Sequence, residues 1–274
     1  MWMNKKLTVF AGMVVLGCIC FSGCGSLDGG KSKREEAEAV TAEGAEEKPD
    51  ATVDGAAGKE GGTGLEGETG ADGQVDFEAL RGQNPDIFAW LYVPGAGIDA
   101  PVLQSGITDD FYITHTADGK EGEAGALYTE MANLMNMCDF NTVIHGKDEK
   151  EGDILYGLHL FENPDFFAKH KNFYIYLPDN VLTYEIVAAY YDEESDILRR
   201  HDYTTYQGCQ DYLEEMYGAR DMGKNFREGW EEMTPYHFLV TLDGGRRKDT
   251  AMQYVVVGVL MKDAAGKVER VILD

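Results

Sequence analysis

Apolar residues fall into three regimes along this chain. A short positive start at Lys5 and Lys6 leads into an apolar run over 7–21. From 25 to about 75 no aromatic residue occurs and branched aliphatics are sparse. From Asp76 onward apolar positions return in dense, periodic form. There Phe77, Leu80, Ile87, Trp90 and Leu91 recur at near-helical spacing, broken by Asn84-Pro85. This predicts two short helices, with Pro85 in the first turn of the second. Trp90-Leu91-Tyr92-Val93 then reads as a strand and Pro94-Gly95 as a turn. Further β-rich runs stand at 100–103, 125–128, 141–145, 173–177 and 182–191. Val181, Thr183, Glu185 and Val187 alternate with Leu182, Tyr184, Ile186 and Ala188, which suits a barrel strand with one moderately polar face. Tyr206, Cys209, Leu213, Met216 and Tyr217 repeat at three and four, predicting an amphipathic helix over 203–222. The runs 238–242 and 254–261 are continuously apolar, as in strands buried on both faces.

The first two regimes are not core. An apolar run of roughly fifteen residues matches a signal-peptide core and is short for a bilayer span. Ser22-Gly23 before Cys24 resembles the lipobox of bacterial lipoproteins. That resemblance implies that residues 1–23 are removed and that Cys24 carries a lipid. The remainder would then sit on the outer face of the cytoplasmic membrane, as in a Gram-positive bacterium. An uncleaved membrane anchor is the alternative. Residues 24–75 are dominated by Gly, Ala, Glu and Asp. Such a segment buries too little apolar surface to offset its ordering entropy and is expected to be disordered. A chain of that length spans roughly 40 Å r.m.s.. It serves either as a spacer or as an inert solubilising tail. Residues 76–274 form the expected folded domain.

Charge narrows the partners. With 24 Lys and Arg against 49 Asp and Glu, the formal net charge is −25. Neutralising phosphates needs clustered cations, so nucleic acid is excluded as a partner. A basic patch on anionic lipid is excluded on the same ground. No phosphate-binding glycine loop opens a helix, and Asp148–Asp153 lacks the spacing of a calcium loop. Neither a cofactor nor a metal is expected.

Within 76–261 several motifs carry a resemblance. They are Asp76-Phe77-Glu78-Ala79-Leu80, Asn84-Pro85-Asp86, Trp90 through Gly95, Ile98 through Gln104, and Asn141-Thr142-Val143-Ile144-His145-Gly146-Lys147. With the helix over 203–222, they resemble the class B sortases. The resemblance implies a mainly β fold: an eight-stranded barrel with N-terminal helices and a long helix before the penultimate strand. It also implies a cysteine transpeptidase that cuts a sorting-signal peptide and passes its acyl group to an amine. In that family a Cys thiolate attacks, a His transfers protons and an Arg stabilises the oxyanion.

Each of those three positions has changed. The family's Thr-Leu-x-Thr-Cys reads Thr241-Leu242-Asp243-Gly244-Gly245, so Gly245 stands where the Cys belongs. Gln253 stands at the Arg position and Lys147 at the His position. Gln brings a neutral donor in place of a charge-assisted one. An ordinary Lys titrates too high for proton transfer at neutrality. Weak substitutes exist in His145, two residues before Lys147, and in Cys138. Cys209 falls on the apolar helix face, and a Cys138–Cys209 disulfide stays open. Arg246-Arg247-Lys248 is a basic spot, either attracting an acidic ligand or forming a solvated loop tip. The leading expectation is a pseudoenzyme that binds a sorting-signal-like peptide or a cell-wall component, with Lys147, Gln253, Arg246 and Arg247 as binding candidates. An active enzyme using Cys138 and His145, or a purely structural module, are the alternatives.

Overall fold

The computed structural model describes residues 75–193, 196–246 and 252–272, with Arg246 described by its backbone alone. The apolar leader, Cys24, the acidic segment before residue 75 and Arg247 lie outside the described residues. Helix α1 spans Phe77–Gln83, α2 Pro164–Lys169 and α3 Tyr206–Gly218. The strands are β1 Ile87–Val93, β2 Ile98–Leu103, β3 Leu127–Tyr128, β4 Asn141–His145, β5 Asn172–Leu177, β6 Asn180–Asp192, β7 Asn225–Phe226, β8 Leu239–Arg246 and β9 Gln253–Asp263. In space their order is β5-β1-β2-β3-β4-β8-β9-β6-β7, and β5 also pairs with β6. That pairing closes eight strands into a ring, with β7 attached to the outside of β6. Closure removes the exposed edges a flat sheet would present. The pairs β2–β3 and β4–β8 are parallel.

Alternation along the strands sorts their side chains onto two faces. Leu91, Ile144, Phe173, Tyr184, Leu242 and Val256 fill the barrel interior. Val143, Leu239, Val255, Val257 and Val259 face outward, where α3 covers them with Cys209, Tyr212, Leu213 and Met216. Thr205 caps α3 by accepting from Gly208 N–H at 3.1 Å. Among the described residues no helix is long and apolar enough to cross a membrane.

The barrel is as the sequence predicts, but among the described residues one helix rather than two precedes β1. Asp76 caps α1, accepting from Ala79 N–H at 2.9 Å, and Phe77 and Leu80 are buried. The second predicted helix is absent, because Ile87 already starts β1. Residues Ile87, Phe88, Ala89, Trp90 and Leu91 are all buried, so this is a strand covered on both faces rather than a helix with one apolar stripe. Asn84 holds the turn before it, donating to Tyr112 Oη and the Ala117 carbonyl, both at 2.9 Å.

Candidate functional site at the end of β4 and β8

The parallel register places His145 beside Asp243 at the ends of β4 and β8. Asp243 shares a sheet face with Thr241, which meets Tyr212 of α3 at 3.1 Å. The pair therefore stands on the outer face, in the groove beside α3. His145 Nδ1 donates to Asp243 Oδ2 at 3.0 Å, and its Nε2 lies 3.4 Å from Glu130 Oε1. Glu130 in turn accepts from Arg199 Nη2 at 2.8 Å. Arg199 also reaches Asp196 at 2.9 Å and Asp109 at 3.4 Å. The Tyr128 ring stacks on His145 with centroids 5.1 Å apart. Burial disfavours a charged imidazole here, but Asp243 and Glu130 outweigh it and raise His145 to about 9. The same contact holds Glu130 below its ordinary value. At neutral pH His145 is thus a cation between carboxylates and has no free lone pair for a proton.

A second cluster lies on the interior side of the same strand end. Asp148 is buried, and its Oδ2 sits 3.1 Å from His159 Nε2. Glu162 Oε1 accepts from His159 Nδ1 at 2.7 Å and from Tyr191 Oη at 2.9 Å. The His159 ring stacks on Tyr254 of β9 at 5.1 Å. Asp148 above all, and Glu162 with it, hold His159 above its ordinary value against partial burial.

Between these clusters β8 bulges, its register shifting between Asp243 and Arg246. Gly245 has φ +81°, a backbone that side-chain-bearing residues rarely adopt, although a Cβ there would meet nothing closer than 3.9 Å. At Gly244 the limit is space: a Cβ would stand 2.1 Å from Asp148 Oδ2. Asp148 has filled the place where position 244 would carry a side chain.

The other sequence candidates are distributed as follows. Gln253 lies opposite Asp192 of β6, on the α3-facing side shared with Val255. It is 3% exposed, and its Nε2 has no hydrogen-bond partner among the described residues. Arg200 pairs with that Asp192 and reaches Glu215 at 3.5 Å, so the guanidinium near Gln253 is tied to carboxylates. Lys147 follows the end of β4, and its amine donates to the Glu123 carbonyl. Cys138 precedes β4 at its other end, with its Sγ near the carbonyls of Asn136 (3.6 Å) and Lys267 (3.8 Å). The four steps from Asn141 to His145 alone measure roughly 13 Å, so the structure does not bring Cys138 and His145 together. Cys209 is buried in α3, where its thiol meets the Tyr203 carbonyl at 3.3 Å, and both cysteines are free. Among the described residues no group of three His, Cys, Asp or Glu side chains could hold a metal ion.

The sequence reading missed Asp243, Glu130, Arg199, Asp148 and His159 as site residues. The first had a usable signal: Asp243 precedes Gly244-Gly245 on a strand whose parallel partner ends in His145. The rest come from loops and short 3-10 turns, whose convergence no periodicity encodes.

No family model matches the chain. Sortase B of Listeria monocytogenes is 27% identical over 133 residues, covering 46% of this chain and 54% of that protein. The chain spans about half the length of the curated relatives it matches. Among solved structures, a Streptococcus pyogenes class B sortase involved in pilus biogenesis superposes with a TM-score of 0.58 at 25% identity, over 68% of this chain and 98% of that one. A Staphylococcus aureus sortase B–substrate complex gives 0.59 at 22% identity, over 68% and 84%. The eight-stranded barrel is therefore the sortase B fold, and the curated relatives that this chain resembles over about half their length are sortase B proteins.

Proposed function

We propose that this protein is a surface-anchored, sortase-like binding module that holds a sorting-signal-like peptide or another cell-wall component without cutting it. The observation that carries this reading is the end of β8. The position matching the family's thiol is Gly245, in a left-handed backbone, and the position matching its guanidinium is a buried neutral amide, Gln253. Nucleophilic acyl transfer needs an attacking group and a proton carrier. His145, the imidazole at this site, is held as a cation by Asp243 and Glu130. An enzyme built on Cys138 and His145 would need both in one cleft, and their separation along β4 argues against it. Peptide binding needs less. An unpartnered buried donor is costly, so Gln253 Nε2 is suited to a peptide carbonyl. Lys147 adds a cation next to the end of β4, and Arg246 and Arg247 follow Gly245 in the sequence as further binding candidates. The solved sortase B–substrate complex supports a peptide as the ligand class.

The test is calorimetric titration of the purified protein with a sorting-signal peptide. Saturable binding is expected, weakened about fivefold by Gln253→Ala, the worth of one neutral hydrogen bond. Binding that is absent, or unchanged in the variant, contradicts the reading.

Anchoring belongs to the same proposal: a lipid on Cys24, residues 1–23 removed, 24–75 as spacer and 76–274 as the folded domain at the cell surface. Cys24→Ala is expected to move the protein from the membrane fraction to the soluble one. A variant that stays membrane-bound with an uncleaved N-terminus would point instead to an uncleaved anchor.

A further inference from the structure

The segment joining β3 to β4 flanks the groove for the whole length of β4, leaving Tyr128 opposite His145 and returning at Asn141. It is held firmly. Gln104 Nε2 donates to the carbonyls of Glu130 and Asn133, both at 2.8 Å, and Met131 N–H donates to Asp109 Oδ1 at 2.7 Å. Yet it turns large apolar side chains outward. Met131, Leu134 and Met135 are 50%, 54% and 52% exposed, and Ile107 beside Asp109 is 73% exposed. Scattered exposed apolar residues need no explanation, but a run of them on a pinned segment marks an interaction surface. Methionine adapts its shape to varied partners.

The charges beside this stripe select the partner. Asp109, Glu130 and Asp196 surround one guanidinium, Arg199, and the exposed Asp110 adjoins Asp109 without an ion pair to it. The rim therefore keeps a negative excess, as does the chain at −25. Anionic lipid is repelled by such a rim, whereas lysine or arginine side chains are drawn to it.

We infer that the β3–β4 segment is a docking rim for an extended peptide that combines apolar side chains with lysine or arginine. The apolar groups lie on Met131, Leu134 and Met135, and the cation lies at Asp109 and Asp110. This goes beyond the groove reading, because the rim residues are not those of the Gly245–Gln253 end.

The test uses the full chain and two labelled synthetic decapeptides with identical leucines and methionines, one flanked by lysines and one by glutamates. Fluorescence anisotropy is expected to show binding of the lysine peptide, at least tenfold tighter than the glutamate peptide and weakened by salt. The double variant Leu134→Asn, Met135→Asn changes exposed positions only, and an unchanged melting temperature checks that it stays folded. It is expected to lose about tenfold in affinity, and Asp110→Asn about threefold at low salt. Equal binding of both peptides, indifference to the double variant, or binding of anionic phospholipid vesicles through these side chains would overturn the inference. The sorting-signal peptide run in parallel separates the two claims. If Gln253→Ala weakens it while the rim variants leave both peptides unaffected, the groove reading stands and the rim falls. If it fails to bind while the lysine peptide behaves as expected, the rim stands and the groove reading falls.

Discussion

Raising the pH from 6 to 9.5 is expected to cost the folded protein about 3 kcal/mol through His145 alone. Its folded value is raised to about 9, against an ordinary value of 6.5. Between those values the native state holds a proton that the unfolded chain has released, so stability falls as pH rises. The contribution is complete below about 6.5 and gone above about 9. At 1.36 kcal/mol per unit the window amounts to about 3 kcal/mol. The side chain is 16% exposed, so solvent screening is modest. His159, raised in the same direction by Asp148 and Glu162, adds to the slope. Urea denaturation across this range should therefore show a falling midpoint. In His145→Ala the fall should be reduced but not abolished, because His159 remains. The variant should also be less stable at pH 6, by about 3 kcal/mol, because removing one partner leaves Asp243 and Glu130 facing each other in a poorly solvated groove. A wild-type midpoint that is flat or rising with pH would contradict the assigned ion pairs.

Gly244→Ala is expected to be at least as damaging, and its rescue is the more telling result. The new Cβ would lie 2.1 Å from Asp148 Oδ2 and 2.2 Å from its Cγ. Asp148 is held by His159 and buried, so it cannot swing into solvent as a surface side chain would. Overpacking costs about 1–3 kcal/mol, and disrupting a buried ion pair about 3–5 kcal/mol. A loss of about 3 kcal/mol is the expected sum after partial relaxation. Truncation to Asp148→Ala removes the obstacle as well as the pair. The double variant should then be no less stable than Asp148→Ala alone, a coupling of at least 2 kcal/mol between neighbours. Additive losses would mean that the carboxylate does not occupy that space. The same contact predicts that restoring Cys at 245, His at 147 and Arg at 253 does not restore chemistry. The family pattern also carries a side chain at 244, and Gly245 stands at a φ of +81° that burdens any Cys placed there.

Much of this architecture is legible in the residues, for a physical reason. Barrel strands buried on one or both faces write their burial into the sequence. The 141–145 run is matched by β4 residue for residue, and the alternation around 182–191 by the inward and outward faces of β6. The same logic fails at Ile87–Leu91, where a continuous apolar run also contains near-helical spacings. There Asn84-Pro85 marks a turn into a strand. The identity of the site residues is legible only through the resemblance, which points to 147, 245 and 253. The resemblance points to those three positions, but not to the side chains that gather around them. Asp148 filling the space over Gly244, and Glu130 joining His145 to Arg199, depend on loops meeting across a strand end, and spacing holds no record of that. Cys138 illustrates the converse: only seven residues before His145 in the chain, it stands beyond the far end of β4 in space.

Loss of acyl transfer is tested most directly by a transpeptidation assay followed by intact-mass spectrometry. The full chain is incubated with a sorting-signal peptide and an amine acceptor. No transfer product and no acyl adduct on the protein are expected, at peptide concentrations where calorimetry shows the site filled. Turnover with a thioester-mass adduct, abolished by Cys138→Ala, would contradict that loss.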